Sequence, residues 1–404
     1  MRAETLDEKR ADGREADMAG KGNPVSRRGL LLGGIGAGLA VAGIAGRPGA
    51  ARAAVRAGAV RPVVRASTQL TAEQRAGQRV IFSYPGLTPP DSLLEQISAG
   101  EAAGVIFFGG NISSESQIAS VITQFSEANA SSPVQAPLLF MTDQEGGEVN
   151  RLPGQPTQSE KEIGESGDPA SEAALEGTAG AQNLAGVGLN LNLAPVLDVY
   201  RAAGDFDDQY QRSYSMDPSV VSECGAASVG AQQAAGIAAT AKHFPGLGAA
   251  TASQDTDTGP VTLDVSLSDL RDIDEAPYPA AIAAGVKLIM VNWAIYPALD
   301  AANPAALSPA IVQDELRTRL GFTGVTITDA LEAGAVSSFG SYGNIAVLAA
   351  QAGMDLLLAS AQDVSEGQDV VSGLASALGD GTLGQADFTA AANRVSALRA
   401  GLAQ

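Results

Sequence analysis

The chain has 404 residues, of which 45% are hydrophobic and 17% are charged, and its formal net charge is −20. This length predicts two domains or one large α/β or β architecture, while the composition argues against general disorder and the acidity against nucleic-acid binding. One cysteine and one histidine exclude an intrachain disulfide, a thiolate zinc cluster and every metal site or relay that needs two imidazoles.

The N-terminal segment is typical of an export signal. Residues 1–25 are polar and charged, and an arginine pair at 27–28 then opens an apolar run rich in Gly and Ala. The small-x-small pattern Ala-Arg-Ala at 51–53 follows, so we predict a twin-arginine signal peptide over residues 1–53 and a secreted protein. An N-terminal membrane anchor is the alternative, for which the apolar run is short and rich in glycine.

Cleavage of this signal changes the charge of the protein. Residues 1–53 contain nine Lys/Arg and six Asp/Glu, a charge of +3, so the remainder carries −23. We expect a linker over 54–71 and a single catalytic domain over 72–404. Because Cys224 is the only cysteine, a lipid anchor at the cleavage site is excluded. The mature protein is expected to have no stable membrane anchor. We also expect it to be a monomer.

Short apolar runs recur along the rest of the chain and predict strands. The eight runs are Val80–Ser83, Val105–Phe108, Leu138–Met141, Leu189–Leu193, Ala239–His243, Leu288–Asn292, Val325–Thr328 and Asp355–Leu358. Helical periodicity lies between them, at Asp168–Ala185, Val220–Ala235, Leu267–Ala284, Pro309–Leu320 and Val364–Leu378. Eight alternating units predict a (β/α)₈ TIM-type barrel, with a final helix over Gln385–Gly401 packed outside it. A doubly wound open sheet is the alternative.

Polar residues follow several of these strands. Because the active sites of such barrels lie at the C-terminal ends of the strands, this position selects a small set of residues. Asp143 follows the third strand, Lys242 and His243 end the fifth, and Asp329 ends the seventh. These four side chains are predicted to converge on one mouth of the barrel.

The motifs around these residues resemble glycoside hydrolase family 3, in its single-domain, NagZ-like β-N-acetylhexosaminidase branch. They are Gly104-Val105-Ile106-Phe107-Phe108-Gly109-Gly110-Asn111, Asp143-Gln144-Glu145-Gly146-Gly147, Asn192-Leu193-Ala194-Pro195-Val196-Leu197-Asp198-Val199, Arg212-Ser213-Tyr214, Asp217-Pro218, Lys242-His243-Phe244-Pro245-Gly246 and Thr328-Asp329. The resemblance covers essentially the whole mature chain. It implies a retaining glycosidase without a metal or an organic cofactor.

The resemblance also implies a role for each matched residue. Asp329 would be the nucleophile, since a carboxylate can form and release a glycosyl ester. Asp143, Arg212, Lys242 and His243 would bind the terminal sugar through its hydroxyl and acetamido groups. Trp293, the only tryptophan, is a weaker candidate for a wall of the sugar pocket, and ordinary packing is the alternative.

The sequence departs from the family where the acid/base should lie. The family's histidine falls on the loop after Lys-His-Phe-Pro-Gly, but the chain's only histidine is His243. Aligned without gaps, Asp255 takes that place, and Asp257 is the second choice for a carboxylate acid/base raised in pKa by burial and by Asp329. The Gly, Ala, Ser and Thr residues of this loop suggest a lid that opens and closes. The alternative is a solvated loop in a protein that binds sugar and turns it over slowly.

A second departure concerns specificity. The arginine that commonly follows Asp-Gln-Glu-Gly-Gly is Glu148 here, with Arg151 three residues later as a candidate replacement. We predict a secreted exo-β-N-acetylhexosaminidase acting on chitin- or peptidoglycan-derived oligosaccharides. A β-glucosidase or other β-glycosidase of the family, or a catalytically weak sugar-binding cell-wall protein, is the alternative.

Overall fold

The computed structural model describes residues 70–402, so the predicted signal peptide and nearly all of the predicted linker lie outside the described residues. The strands are β1 Val80–Phe82, β2 Gly104–Ile106, β3 Leu139–Thr142, β4 Gln144–Gly146, β5 Val149–Asn150, β6 Leu191–Asn192, β7 Ala238–Phe244, β8 Leu288–Val291, β9 Val325–Ala330 and β10 Leu356–Leu358. The α-helices are α1 Ala72–Gly77, α2 Asp91–Ser98, α3 Glu115–Ala130, α4 Glu160–Gly164, α5 Pro169–Val187, α6 Pro218–Ala234, α7 Leu267–Asp269, α8 Tyr278–Ala283, α9 Tyr342–Ala352, α10 Val364–Gly379 and α11 Gln385–Gly401. Two π-type segments lie at Leu270–Asp274 and Ala310–Arg319, and 3-10 turns lie at Gly109–Asn111, Asp208–Tyr210, Ala305–Leu307 and Gly334–Phe339.

Eight of the strands form one closed parallel barrel. Around the barrel they follow in chain order, β1-β2-β3-β6-β7-β8-β9-β10, and β1 pairs with β10 to close it. Strands β4 and β5 form a separate antiparallel hairpin. Each predicted apolar run overlaps one barrel strand, so the predicted (β/α)₈ fold is confirmed and the open sheet is wrong.

The barrel interior is filled by alternate residues of the strands. In β1, Ile81 points inward, whereas Val80 and Phe82 pack against the outer helices. Inward residues of the other strands include Leu139, Leu191, Leu288, Ile327 and Leu356. Burial of each such side chain contributes roughly 1.5–3 kcal/mol, which explains why short apolar runs suffice to specify the strands.

The C-terminal helix α11 covers the N-terminal end of the barrel. Its Val395 and Leu398 join the interior cluster, and the guanidinium of Arg399 donates hydrogen bonds to the carbonyls of Ala136 and Pro137, just before β3. Arg394 pairs with Asp355, just before β10, at 2.7 Å. The helix has the predicted bounds and packs outside the barrel, across its N-terminal end. The opposite, C-terminal end is therefore the one with room for a ligand.

One predicted helix is broken in the structure. The segment predicted as Leu267–Ala284 is divided into α7, the π-type segment Leu270–Asp274 and α8. Pro277 lies immediately before α8, where its missing N–H and fixed φ suit the start of a helix and not its interior. Ser266 caps α7, because its side chain accepts a hydrogen bond from the Asp269 N–H. Among residues 70–402, no helix is long and apolar enough to cross a membrane.

Candidate active site

The predicted sugar-binding residues meet at the C-terminal end of the barrel. Lys242 Nζ lies 2.6 Å from Asp143 Oδ1, which joins β7 to the segment after β3. Arg212 Nη2 lies 3.3 Å from His243 Nε2, although Arg212 comes from the long connection between β6 and α6. The structure therefore brings Asp143, Arg212, Lys242 and His243 into one group of charged and polar side chains.

Glu145 connects the two halves of this group. Its carboxylate accepts two hydrogen bonds from Arg212, at 2.8 and 2.9 Å, and lies 2.7 Å from Lys242 Nζ. Burial acts to raise the pKa of Glu145, but the charges of Arg212 and Lys242 outweigh it and hold that pKa well below its usual range. Glu145 is thus a permanent anion beneath the predicted sugar-binding side chains. Its motif was visible in the sequence, but its partners, 67 residues away in the case of Arg212, were not.

A hairpin presents Asp143 and Glu145 to the barrel mouth. Gln144, between them, donates through its side chain to the carbonyls of Leu152 and Gln155, and its backbone N–H donates to Asn192 on β6. Gly146 has a φ of +107°, and a Cβ there would lie 2.1 Å from the Gln158 carbonyl oxygen. The Asp-Gln-Glu-Gly-Gly motif therefore specifies a turn that aims alternate carboxylates at the site.

The hairpin also contains Glu148, which departs from the family's pattern, and is followed by Arg151, the candidate replacement for the missing arginine. Glu148 is exposed between β4 and β5. The backbone N–H of Arg151 donates to the Asp143 carbonyl at 3.4 Å, and the buried Nε of Arg151 has no hydrogen-bond partner in the described part of the chain. The backbone of Arg151 therefore lies beside that of Asp143, one of the predicted sugar-binding residues.

His243 is held in a fixed orientation by Asp198. His243 Nδ1 lies 2.7 Å from Asp198 Oδ2, while Asp198 Oδ1 accepts the Leu247 N–H at 2.6 Å. Burial, followed by the positive charges of Arg212 and Lys242, lowers the pKa of His243 to about 4. The imidazole is therefore neutral near pH 7, with Nδ1–H donating to Asp198 and Nε2 accepting from Arg212. Asp198 lies in the motif at residues 192–199, yet nothing in the sequence indicated that it orients His243.

Three buried groups in this region have the composition of a metal site. Ligand atoms of Asp198, Asp207 and His243 lie within 4.8 Å of one another. However, Arg212 Nη1 pairs with Asp207 at 3.2 Å while its Nη2 contacts His243, so a guanidinium already supplies the positive charge. Burial, and then Asp198, raise the pKa of Asp207 to about 7. These carboxylate oxygens and the imidazole nitrogen therefore fit an arginine better than a metal ion.

Asp329 lies near the C-terminal end of β9, facing the same mouth. Its Oδ1 accepts the Ala330 N–H at 2.8 Å, and the Ala330 carbonyl accepts a hydrogen bond from Trp293 Nε1 at 2.7 Å. Trp293 is only 1% exposed. The indole therefore packs in the core and holds the segment after Asp329, and it offers no free face to a sugar. The burial of Trp293 therefore favours ordinary packing over a wall of the sugar pocket.

Burial and two neighbouring residues shift the pKa of Asp329. Burial raises the pKa of Asp329, His243 lowers it, and Asp257 raises it again. Asp257 is thus the residue of the long loop after β7 that influences the pKa of Asp329. The side chain of Asp257 is exposed, but the protein atoms around it partly desolvate it. This desolvation, then Asp255 and then Glu332 raise the pKa of Asp257 itself.

Asp255 and Asp257 occupy different positions in that loop. Asp255 Oδ1 accepts the Asp257 N–H at 2.9 Å, and its carbonyl accepts the N–H groups of Thr258 and Gly259. Asp255 therefore closes a local turn of the kind that aspartate favours. Asp257, two residues later in the same turn, is exposed, whereas Asp255 is half-buried.

The loop is attached to its neighbours at several points. The carbonyls of Thr256 and Asp257 accept the Ala335 and Gly334 N–H groups at 3.0 and 2.9 Å. At its other end Leu263 N–H donates to the Ile295 carbonyl, also at 2.9 Å. Backbone hydrogen bonds therefore hold the loop that is predicted to be a lid against the segment that follows Asp329.

Comparison with known proteins assigns the family. Residues 71–398 match the description "Glycosyl hydrolase family 3 N terminal domain". An "Uncharacterized secreted glycosyl hydrolase" of Arthroderma benhamiae is 46% identical over 330 residues, 81% of this chain and 93% of that protein. A "Beta-hexosaminidase" of Stenotrophomonas maltophilia is 37% identical over 248 residues, 59% of this chain and 70% of that protein.

Solved structures agree with this assignment. A family 3 β-N-acetylglucosaminidase from Paenibacillus sp. superposes with a TM-score of 0.78 at 32% identity, covering 83% of this chain and 63% of that one. A β-N-acetylhexosaminidase from Beutenbergia cavernae superposes with a TM-score of 0.74 at 34% identity, covering 82% of this chain and 99% of that one. The predicted family is confirmed: the chain belongs to glycoside hydrolase family 3 and is a glycosidase.

Proposed function

We propose that the protein is a secreted, retaining exo-β-N-acetylhexosaminidase that releases terminal N-acetylglucosamine from chitin- or peptidoglycan-derived oligosaccharides. The observation that carries this proposal is the group Asp143, Arg212, Lys242 and His243, joined by hydrogen bonds at the same barrel mouth as Asp329. Relatives named β-hexosaminidase and a relative named as secreted support the substrate class and the extracellular location.

The binding group suits a terminal sugar. Asp143 accepts hydrogen bonds from hydroxyl groups, while Lys242 and Arg212 donate to hydroxyl or acetamido oxygens. His243, neutral and fixed by Asp198, adds one further contact of defined direction. Contacts of this kind with the 2-substituent strengthen at the transition state of glycoside hydrolysis.

Asp329 is the proposed nucleophile. In a retaining mechanism it attacks the anomeric carbon while a second group protonates the leaving oxygen, and water then hydrolyses the glycosyl ester. His243 cannot supply that proton near pH 7, because burial and two neighbouring cations keep it neutral. The proton donor is therefore a carboxylic acid.

Of the two loop carboxylates, Asp257 is the better proposal. Asp257 acts electrostatically on Asp329, and its own pKa is raised by burial and by Asp255 and Glu332, as a proton donor requires. Asp255, the first choice from the alignment, instead accepts the hydrogen bond that forms the turn. Asp255 keeps a supporting role, since its charge helps to keep the proton on Asp257.

A β-glucosidase is the second candidate. The observation in its favour is the exposed Glu148, which takes the place of a donor common in the hexosaminidase branch. A chromogenic panel of β-glycosides decides between the two. We expect turnover of the N-acetylglucosaminide above the glucoside; turnover of the glucoside alone would establish the second candidate, and sugar binding without turnover would refute both.

Three variants test the catalytic assignment. Asp329→Ala should abolish turnover, and wild-type activity in that variant would contradict the nucleophile. Asp257→Asn should slow unactivated substrates such as chitobiose by about 10²–10⁴, and 4-nitrophenyl glycosides far less. Asp255→Asn is the matched control, with a smaller effect on both. A reversed order of the two asparagine variants would return the role to Asp255.

A further inference from the structure

A second pair of carboxyl groups lies behind the docked loop. Glu332 follows Asp329 by three residues, and Glu366 lies in the first turn of α10. Both oxygens of Glu332 lie within hydrogen-bond distance of Ser360 Oγ, at 2.9 and 3.1 Å. Glu332 is thus fixed in place by the connection between β10 and α10.

Glu366 can complete its hydrogen bonds only as a protonated acid. It is 1% exposed; its Oε2 accepts the Ala361 N–H at 2.8 Å, and its buried Oε1 has no donor among residues 70–402. Burial, and then Glu332, raise the pKa of Glu366 to about 8, and a side-chain hydrogen bond links the two carboxyls. The pair therefore shares one proton near pH 7, with Glu366 donating and Glu332 carrying the charge.

Backbone contacts bring the segment that carries Glu332 to the loop. Gly334 N–H donates to the Asp257 carbonyl, and Ala335 N–H donates to the Thr256 carbonyl, so the strand-end segment that carries Glu332 lies against the segment that carries Asp257. The charged groups facing Asp257 are Asp255 on its own loop, Glu332 and Asp329 from the β9 segment, Arg212 from the β6–α6 connection and Asp143 after β3.

We propose that Glu332, fixed by Ser360 and by the proton it shares with Glu366, is a positioning residue that holds a negative charge beside Asp257, so that Asp257 carries the proton delivered to the leaving group. This inference rests on the proposed function. Asp257 gives its proton to the glycosidic oxygen as the bond to the sugar breaks, and regains one from the water that hydrolyses the glycosyl ester. Glu332 touches neither substrate nor nucleophile; it acts through Asp257.

The test is the pH profile of kcat/KM on an unactivated substrate. The loss of protonated acid sets the limb at high pH, and removal of a negative charge from beside Asp257 favours its ionised form. Glu332→Gln should therefore move this limb to lower pH, by about half a unit or more, and reduce activity above the limb about threefold or more. On 4-nitrophenyl glycosides the same variant should change kcat little.

Matched variants separate charge from shape. Glu332→Asp keeps the charge and should restore the limb, whereas Glu366→Gln exchanges one neutral donor for another and should move it less than Glu332→Gln. Glu127→Gln removes an exposed carboxylate on α3 and should leave the profile unchanged. A limb that stays in place in Glu332→Gln, while the wild type is active and Asp329→Ala is not, would overturn this inference alone. Absence of wild-type turnover would instead overturn the proposed function.

Discussion

Replacement of Glu145 by glutamine is the sharpest test of how the sugar-binding group is held. Glutamine preserves the shape of the side chain but removes the charge between Arg212 and Lys242, which Glu145 contacts at 2.7–2.9 Å. The two cations would then face each other across a neutral amide whose NH₂ group cannot accept a hydrogen bond. Each cation keeps one acidic partner, Asp207 for Arg212 and Asp143 for Lys242.

The expected loss of stability follows from burial. The side chains of Glu145 and Lys242 are 1% and 2% exposed, so water cannot replace the missing charge. Removal of one partner from a buried ion pair costs about 3–5 kcal/mol, and the two remaining acidic partners place Glu145→Gln near the lower end, about 3 kcal/mol. Displacement of Lys242 and Arg212 from the sugar should also lower kcat/KM by about tenfold to hundredfold.

Urea unfolding and steady-state kinetics measure the two effects, and Glu315 offers a matched control. Glu315 also pairs with two arginines, Arg271 and Arg319, but their side chains are 39% and 34% exposed. Glu315→Gln should therefore cost less than about 1 kcal/mol and leave KM unchanged. Equal stability losses in the two variants, or an unchanged KM in Glu145→Gln, would refute the assignment of Glu145 as the residue that holds the binding group.

Two further outcomes follow from the docked loop. Gly334→Ala would place a Cβ 2.7 Å from the Thr258 carbonyl oxygen and 2.9 Å from that of Asp257, so it should displace the loop and slow unactivated substrates more than activated ones. Gly230→Ala, in α6 with nothing within 4 Å, is its control and should leave both rates unchanged. In the proposed mechanism Asp257 still holds its proton at the low-pH limb of kcat/KM, where the nucleophile Asp329 becomes protonated. Asp257→Asn therefore replaces one neutral group by another and should leave that limb in place on activated substrates. A limb that moves would show that Asp257 is charged there and would contradict its role as the proton donor.

The strands and their ends could be predicted from the sequence because both depend on short-range patterns. An apolar run bounded by polar residues predicts a buried parallel strand, and the residues that follow it must lie at the C-terminal end of the barrel. This rule alone places Asp143, Lys242, His243 and Asp329 at one mouth of the barrel. Arg212 comes from a connection, where no such rule applies, and only the family resemblance indicated it.

The arrangement beneath the sugar-binding group could not be predicted in the same way. Glu145, Asp198 and Asp207 all lie in or near recognisable motifs. However, their partners are brought to them by folding and do not stand at a fixed spacing in the sequence. A sequence shows that a carboxylate is present and cannot show which cation or imidazole it faces. The helix predicted over 267–284 was wrong for a local reason, because Pro277 favours the start of a helix over its interior.

The shortage of histidine and the excess of carboxylates have a common consequence at the proposed catalytic centre. The single imidazole, His243, is kept neutral by burial and by the cations Arg212 and Lys242, so it is removed from proton transfer near pH 7. A carboxylic acid of ordinary pKa would be ionised near pH 7 and could not replace it. Burial, and then the negative charges of Asp255 and Glu332, raise the pKa of Asp257. In the proposed mechanism the surplus of acidic residues thus takes the part of a second histidine, because it favours the protonated form of the group that donates to the leaving oxygen.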